Sequence, residues 1–338
     1  MHTLEGTILA GESLTPREGR VVIESNHIDA VETCETDSSK IIAPAFVNAH
    51  THIGDSVAKE AAVGLDLEEA VAPPDSLKHN RLAAVEDTAA IRAMRQTARF
   101  MKQTGTTAFL DFRESGVDGT RLLREAASEI DIDAFIFGSG DPDVLQIADG
   151  YGASGANDAE FHTHRDAATE EAVPFAIHAG EPDASDIHPA LDLDPDLLVH
   201  MIHVTEEHLE RVSQLDIPVA VCPRANLVLD VGKPPIRKLR DYTEVALGTD
   251  NVMLNSPSMF REMAYTAKTF DVSDREVLQM ATQAGAAAVG LNRGVIEPGK
   301  QAALCVFDGA SDNLANTECP IRAIVRRAGP LDLERVIM

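Results

Sequence analysis

From residue 41 onward, short apolar runs alternate with segments of helical periodicity, and this alternation constrains the fold more than any other feature of the chain. The runs are IIAPAFVNAH (41–50), TTAFLDF (106–112), DAFIFGS (133–139), GYGASG (150–155), PFAIHAG (174–180), LLVHMIH (197–203), IPVAVCP (217–223) and EVALGTD (244–250). The fourth run is weak, but the other seven are clear. Strands that alternate with helices predict an α/β fold with a parallel sheet, most simply a closed (β/α)8 barrel of the TIM type.

The two ends of the chain show a different pattern, in which short apolar runs are separated by turns. The first 45 residues contain several such runs, and the tail adds VIEPGKQAALCVFDG and RAIVRRAG, which we also interpret as strands. We therefore expect residues 1–45 and 295–338 to form one small β-domain and residues 46–294 to form the barrel. Residues 54–84 make a long connection after the first barrel strand and contain two consecutive prolines. Loops of this length are uncommon unless they are functional, so this connection is a candidate lid.

Composition limits the class of protein. Hydrophobic residues make up 44% of the 338 residues, and no apolar run approaches the ~18 residues that span a bilayer. The first residues lack the cationic and apolar regions of a signal peptide. Four cysteines are scattered without a CxxC pair, which disfavours a disulfide scaffold and favours a reducing cytoplasm.

The formal net charge is −26, from 55 acidic and 29 basic residues. A chain without a basic surplus is poorly suited to bind nucleic acid or an anionic membrane surface. Only 8 of the basic residues are lysines, and there is no tryptophan. This composition predicts a halophilic protein, because high salt screens the self-repulsion of so many carboxylates. An ordinary acidic protein is the alternative.

Histidines and carboxylates follow several of the predicted strands. The first run ends in His50-Thr51-His52, and residues i and i+2 of a strand point to the same side. The fifth run is followed by Glu181, and other strand-end candidates are His178, His200, His203 and Asp250. The carboxyl ends of barrel strands meet at the catalytic mouth, so these groups are expected to converge. Three imidazoles and one carboxylate suit Zn²⁺ or Fe²⁺ and leave a position for water.

A second His-x-His pair, His162 and His164, lies in a helical stretch. Side chains at i and i+2 of a helix diverge, so we expect this pair to be solvated surface.

The motifs PAFVNAHTHIGD, HAGE, VHMIHVTEEHLERV, CPRAN and GTDN occur in that order, and the chain resembles the amidohydrolase superfamily through them. The resemblance is to its aminohydrolase branch, which includes guanine, cytosine and adenosine-type deaminases. It covers nearly the whole chain and implies a barrel flanked by a β-sandwich built from both termini.

The resemblance also implies roles for individual residues. One divalent metal ion, Zn²⁺ or Fe²⁺, would be bound by His50, His52, His178 and Asp250. Glu181 would be the proton shuttle, Asp250 would take a further proton, and His200 would contact the water or the substrate, with His203 as the rival for that role. No lysine lies between Asp141 and Val173, where binuclear members carry a bridging carboxylated lysine, so a mononuclear site is expected.

Candidate substrate-binding residues are Arg113, Arg224, Asn226 and His203. Arg224 would pair with a substrate carboxylate or phosphate, or else with an acidic neighbour. Arg113 is equally consistent with a salt bridge. His79 and His188 are weaker candidates that fit a structural role better, and Cys222 is expected to be a buried apolar residue and not a nucleophile.

These features predict a hydrolase that deaminates a heterocyclic amine of nucleobase or nucleoside type, by attack of metal-bound hydroxide with Glu181 relaying the proton. Hydrolysis of a cyclic amide, formimino group or chloro-substituted heterocycle at the same site is the alternative. A noncatalytic binding barrel is a third possibility. The expected partner is a small-molecule substrate, and a homo-oligomer is consistent with the fold.

Overall fold

A computed structural model describes residues 2–73 and 75–338 of the chain. None of its described helices has the length and apolar character needed to cross a bilayer. The described strands are β1 His2–Ala10, β2 Thr15–Glu24, β3 His27–Thr33, β4 Lys40–Pro44, β5 Phe46–His52, β6 Thr106–Arg113, β7 Asp133–Gly138, β8 Gly150–Ala153, β9 Phe175–Ala179, β10 Leu197–His200, β11 Val219–Val221, β12 Val245–Leu247, β13 Asp250–Asn251, β14 Leu304–Asp308 and β15 Leu333–Ile337.

The described helices alternate with the barrel strands or cover the ends of the barrel. They are α1 Leu67–Ala70, α2 Leu77–Ala84, α3 Asp87–Gln103, α4 Gly116–Ala127, α5 His162–Glu170, α6 Ile187–Asp192, α7 Glu206–Leu215, α8 Pro223–Leu229, α9 Ile236–Arg240, α10 Met259–Thr269, α11 Asp274–Met280, α12 Gln283–Ala288 and α13 Pro320–Arg326. Short 3-10 helices occupy Ile53–Ala58, Pro142–Gln146 and Pro330–Asp332.

Strands β5 to β13 form one parallel sheet that closes into a barrel. The order is β12-β11-β10-β9-β8-β7-β6-β5-β13, and β12 and β13 are two parts of the eighth strand. Strand β12 pairs with β11, whereas β13 pairs with β5 and places Asp250 beside Thr51 and Asn251 beside His52. The predicted (β/α)8 barrel is therefore confirmed, and the weak fourth run forms β8.

The barrel strands are buried on both faces, as expected for a parallel sheet covered by helices. All eight residues of β6, TTAFLDFR, are buried. Helix α3 shows why the segments between strands are helical: Ala90, Met94, Ala98 and Met101 recur at helical spacing and are buried in one cluster with residues of the barrel strands. This helix ends where Gly105 adopts a φ of +90°, a conformation that glycine adopts without a Cβ clash.

Both termini contribute to a second sheet, as predicted. Its order is β15-β14-β4-β1-β2-β3, with β1 and β4 parallel and the other neighbouring strands antiparallel. The strands enclose a separate apolar cluster that includes Ile8, Val21, Ile42 and Leu304.

One terminal segment differs from the prediction. The run RAIVRRAG was expected to be a strand, but most of it belongs to helix α13. Pro320 stands in the first turn of this helix, where proline favours helix initiation. Ile321, Ile324 and Val325 are buried at helical spacing, and the helix packs against α10 and α11. A run this short fits both the strand period of two residues and the helical period of about 3.6. Packing against α10 and α11 therefore determines that it is a helix.

Residues 54–84, called the covering segment below, contain a 3-10 helix followed by α1 and α2. Several of its residues line the cavity above the barrel mouth, among them Leu67, Val71, Pro73 and Lys78. The segment therefore occupies the position expected of a lid.

Candidate active site

Six polar side chains from four strand ends converge at the carboxyl end of the barrel. His50 and His52 lie on β5, His178 on β9 with Glu181 just beyond it, His200 at the end of β10 and Asp250 at the start of β13. Three sets of these residues have ligand atoms within 4.8 Å of one another: His50, His178 and His200; His50, His52 and Asp250; and Glu181, His200 and Asp250. The sequence-predicted metal ligands are thus brought together.

The chain leaves ordinary strand geometry at two of these positions. His200 has a φ of +77° and Asp250 a φ of +57°. Non-glycine residues rarely adopt this left-handed region, and such strain is often found at functional sites. In this barrel it occurs at two residues of the cluster.

The donor atoms of the cluster are close enough to share one ion. Nε2 of His52 lies 3.4 Å from Nε2 of His178 and 3.6 Å from Oδ1 of Asp250. Nε2 of His50 lies 3.4 Å from the same Asp250 oxygen. Ligands that surround a single ion at about 2 Å have mutual separations of this size.

Hydrogen bonds fix the orientation of two of the rings. The Nδ1–H of His178 donates to the Ala153 carbonyl at 2.9 Å, and the Nδ1 of His52 lies 2.9 Å from the Phe112 carbonyl and 2.8 Å from Oε1 of Glu114. A ring that donates through Nδ1 keeps the lone pair of Nε2 for a metal. Both Nε2 atoms face the centre of the cluster.

His50 provides the test of whether a metal fits. Its side chain is fully buried, its Nδ1 has no hydrogen-bond partner among the described residues, and its Nε2 has only the Asp250 oxygen at 3.4 Å, without good hydrogen-bond geometry. Unpartnered buried nitrogens are rare in folded proteins. Burial lowers the pKa of His50 to about 3, so the ring is neutral and available as a ligand near pH 7. A divalent ion would satisfy this imidazole, and the nitrogen and oxygen donors around it suit zinc or ferrous iron.

His200 differs from the other rings of the cluster. The side-chain nitrogen Nδ2 of Asn226 lies 3.2 Å from its Nδ1, and an amide nitrogen is a donor. Because Nδ1 then accepts, the ring proton is on Nε2, 3.5 Å from Oε2 of Glu181. Burial lowers the pKa of His200 to about 3. The neutral ring therefore presents an N–H into the site.

The two carboxylates of the site have opposite proton affinities. Burial, and then the charge of Asp250, raise the pKa of Glu181 well above its usual value. Burial alone would raise the pKa of Asp250 as well, but the rings of His50, His200 and His52 outweigh this effect and hold it well below its usual value. Carboxylates separated in this way are suited to different roles: Glu181 can hold a proton in the resting site, whereas Asp250 is an anionic ligand that binds a proton only transiently.

A buried charged network around Glu114 supports His52. Glu114 contacts His52, the guanidinium of Arg113 at 3.0 Å and the ammonium of Lys78. Burial alone would raise the pKa of Glu114, but Lys78, His52 and Arg113 together hold it well below its usual value. Glu114 immediately follows the end of β6, a position that predicts contact with substrate, whereas nothing in the local sequence singles out Lys78.

Asp55 and Asp111 hold the backbone around the cluster. Asp55 accepts hydrogen bonds from Asn251 Nδ2 and from the Met253 amide, and Asp111 accepts from the Ile53 amide. These bonds join the 3-10 helix after β5 to β6, to β13 and to the segment that follows β13. Burial raises the pKa of Asp55 to about 6 and that of Asp111 to about 8.

The four residues expected to bind substrate lie elsewhere. Arg113 is buried and donates to Gly119 and Glu114, while Arg224 donates to Glu262 and the Ser256 carbonyl, and neither lines the cavity. The structure thus favours the salt-bridge alternative for both arginines. Asn226 is fully buried and contacts His200. His203 is exposed and bonded to the Val231 carbonyl, so His200 and not His203 joins the cluster.

The other histidines divide between cavity and surface. His162 is exposed on α5, as expected, but the prediction for His164 is wrong: its ring is half-buried, lies 5.0 Å from that of Tyr151 and lines the cavity. Helix α5 begins beside β8, which brings this side chain inward. His79 also lines the cavity and is bonded to Ser76. His188 lies 4.4 Å from the ring of His208, away from the cavity.

The cluster forms the floor of a cavity of about 750 Å³, within the range of small-molecule sites. Its ionisable lining residues are His52, Glu68, Lys78, His79, Glu114, Asp141, Asp158, His164, His178, Glu181, Asp186, His200 and Asp250, with the phenol of Tyr151. Cys222 is buried and burial raises its pKa well above the usual value, which leaves it an inert thiol, as expected.

Comparison with known proteins gives a consistent result. The model of the amidohydrolase family matches residues 41–333. A candidate aminohydrolase from Methanothermobacter thermautotrophicus is 36% identical, over 90% of this chain and 91% of that protein. A 5-methylthioadenosine/S-adenosylhomocysteine deaminase from Halobacterium salinarum is 25% identical, over 98% of this chain and 88% of that protein. The crystal structure of an adenosine deaminase from Xanthomonas campestris with bound zinc superposes with a TM-score of 0.82 at 19% identity, covering 99% of this chain and 91% of that one, which shows a shared fold.

Proposed function

This chain belongs to the amidohydrolase family and is a hydrolase of carbon–nitrogen bonds, and we propose that it deaminates a neutral heterocyclic amine of nucleobase or nucleoside type with the help of one divalent metal ion. The observation that carries the proposal is the convergence of three imidazole lone pairs, Asp250 and a proton-carrying Glu181 on the floor of one cavity.

His50, His52, His178 and Asp250 would hold the metal, with zinc as the favoured ion because of the nitrogen-rich donor set. Such an ion supplies Lewis acidity, which lowers the pKa of a water molecule toward 7. The fourth strand of the barrel, β8, consists of glycine, tyrosine, glycine and alanine. It carries no lysine that could bridge two metal ions, which supports a mononuclear site.

Glu181 is placed to move the proton. It accepts a proton from the attacking water and donates it to a ring nitrogen of the substrate, which makes the adjacent carbon electrophilic. The raised pKa of Glu181 suits this exchange because the carboxyl is protonated for part of the cycle. The carbon–oxygen bond forms first, and the carbon–nitrogen bond breaks in a second step, in which the amine leaves as ammonia and the carbonyl of the product forms.

His200 and Asp250 complete the proton transfers. The Nε2–H of His200 points into the site and donates a hydrogen bond to the developing oxyanion. Asp250 accepts the second proton of the water and passes it to the leaving amine. Asn226 keeps His200 in the required tautomer by donating to its other nitrogen.

The charge of the cavity wall favours a substrate without an anionic group. Glu68, Asp141 and Asp158 are exposed carboxylates in its lining, and Lys78 is the one lysine or arginine among the described lining residues. The ammonium of Lys78 already pairs with Glu114. A phosphate or carboxylate on the substrate would therefore meet like charge without a free cation to compensate it.

The test is ammonia release by the zinc-loaded enzyme across a panel of aminated purines, pyrimidines and their nucleosides, each nucleoside paired with its 5′-monophosphate. We expect ammonia from at least one base or nucleoside, with a kcat/KM more than about tenfold lower for the matching monophosphate. Chloride release or ring opening without ammonia would favour the alternative hydrolase. Zinc binding with no turnover of any compound would favour a binding barrel.

A further inference from the structure

Helix α2 of the covering segment contacts the barrel mouth through a buried lysine as well as through an apolar side chain. Lys78 is its only fully buried residue, with 4% of its surface exposed, although Leu77 and Leu82 lie on the same helix and are more exposed. A surface helix usually docks through apolar side chains. In α2, Leu77 packs against an apolar cluster of the barrel, but the one fully buried side chain forms an ion pair, between the ammonium of Lys78 and Oε1 of Glu114.

The same oxygen of Glu114 is the hydrogen-bond acceptor of a candidate metal ligand. Oε1 lies 2.8 Å from Nδ1 of His52, and Nε2 on the far side of that ring faces Asp250. A single carboxylate oxygen therefore lies between the covering segment and the metal cluster. Arg113, 3.0 Å from the other oxygen, holds the carboxylate from the barrel side.

We propose that Lys78 is a positioning residue that couples the seating of the covering segment to metal binding at His52, through Glu114. The inference rests on the proposed metal site. A metal bound at Nε2 fixes the plane of the His52 ring and with it the direction of the Nδ1–H bond. That bond, together with the one from Arg113, orients the Glu114 carboxylate, which then presents Oε1 to Lys78.

Coupling between two sites is reciprocal. If the metal favours the seated segment, the seated segment strengthens metal binding by the same factor. Groups that support a metal-bound histidine typically change metal affinity by about 10- to 100-fold, which sets the expected size of the effect. A lysine that merely anchored the segment would hold it equally well with and without the metal.

The experiment measures amide hydrogen exchange of residues 77–84 in the full-length protein, with zinc and after zinc removal. Wild type is compared with K78M, with K78R, and with K59M as a matched control, because Lys59 lies in the same segment and is exposed. Zinc stoichiometry is measured first for each protein. Exchange of the buried strand β6 reports whether each variant is folded.

We expect zinc to slow exchange of residues 77–84 about tenfold in wild type and in K59M, and to have no effect on these residues in K78M. K78M should bind zinc about tenfold more weakly, and K78R, which retains the charge, should recover part of both effects. Equal exchange with and without zinc in wild type overturns the coupling, and so does zinc protection that persists in a folded K78M. Failure of wild type to bind zinc overturns the metal site and the coupling together, so the two failures are distinguishable.

Discussion

The side-chain amide of Asn226 lies 3.2 Å from Nδ1 of His200 and determines which nitrogen of that ring carries the proton. His52 and His178 have the opposite arrangement, because their Nδ1 atoms face oxygen acceptors. The histidines of one cluster are thus sorted into rings that offer a lone pair and a ring that offers a proton. Hydrogen-bond partners outside the cluster make this distinction.

Replacing Asn226 should impair turnover without removing the metal. In Asn226→Leu the His200 ring loses the partner that fixes its tautomer, and we expect kcat to fall about 10- to 100-fold. Zinc content, measured by elemental analysis, should match that of wild type. His203→Ala is the control, since the His203 ring is exposed and outside the cluster, and its kcat should be unchanged. A fall in zinc content that accounts for the loss in Asn226→Leu would contradict the proposed role.

Replacing Glu181 should separate proton transfer from metal binding. Glu181→Gln keeps the shape of the side chain but cannot carry a proton, so we expect kcat to fall about 10²- to 10⁴-fold while bound zinc is retained. Steady-state ammonia release and zinc analysis of the same sample test both parts. Wild-type turnover in this variant would remove Glu181 from the mechanism.

Metal removal should destabilise the protein. The fully buried ring of His50 lacks a good hydrogen bond, and a bound zinc ion would give it a partner. Zinc should therefore stabilise the folded state. At a free zinc concentration 100 times Kd the gain is about 2.7 kcal/mol, visible as a rise in Tm when zinc is returned to chelator-treated protein. His50→Ala should lose this response, whereas His162→Ala, altered on the exposed surface, should retain it. An identical Tm with and without zinc in wild type is the result that would count against the site.

The buried pair of Glu262 and Arg224 should make stability depend on pH. Burial raises the pKa of the fully buried Glu262 to about 7, although Arg224 acts in the opposite direction. The folded state then holds a proton that the unfolded chain releases near pH 4.5, so this residue's contribution to stability is lost as pH rises from about 4.5 to 7. The full shift corresponds to about 3 kcal/mol.

Urea unfolding of metal-free protein at pH 5, 6, 7 and 8 tests this dependence. Glu262→Gln retains the shape and cannot ionise, so its free energy of unfolding should fall less than that of wild type between pH 5 and 7. The exposed Glu170→Gln is the control and should follow wild type. Parallel curves for wild type and Glu262→Gln would show that Glu262 does not bind this proton.

Salt should stabilise the chain through its net charge of −26. Screening reduces the repulsion among surface carboxylates, so the Tm is expected to rise between 0.1 and 2 M KCl. At the lower KCl concentrations the salt acts mainly by screening charge, so the rise in Tm there is due to reduced repulsion among the carboxylates. A Tm that is independent of KCl would favour the ordinary acidic protein over the halophilic one.

The barrel and the clustering of histidines and carboxylates at its mouth were predictable because their signals are local. A His-x-His pair at the end of an apolar run points both rings to one side, and parallel strands end at one rim. His164 and helix α13 were mispredicted because each depends on what lies opposite in space: β8 and Tyr151 in one case, helices α10 and α11 in the other. A short run carries too little periodicity to determine such contacts.

The sequence alone determined the barrel, the second sheet built from both termini, and the histidines and carboxylates at the ends of the barrel strands. Periodicity and strand ends are properties of neighbouring residues, so they can be recognised in the sequence. Only the tertiary structure decided that Arg113 and Arg224 are buried ion-pair partners, that Asn226 sets the proton on His200, and that Lys78 reaches Glu114 beneath the covering segment. The physical reason is that hydrogen bonds and ion pairs of buried groups join residues that are distant in the chain. Packing determines which groups become partners, so these contacts cannot be predicted from the spacing of residues along the sequence.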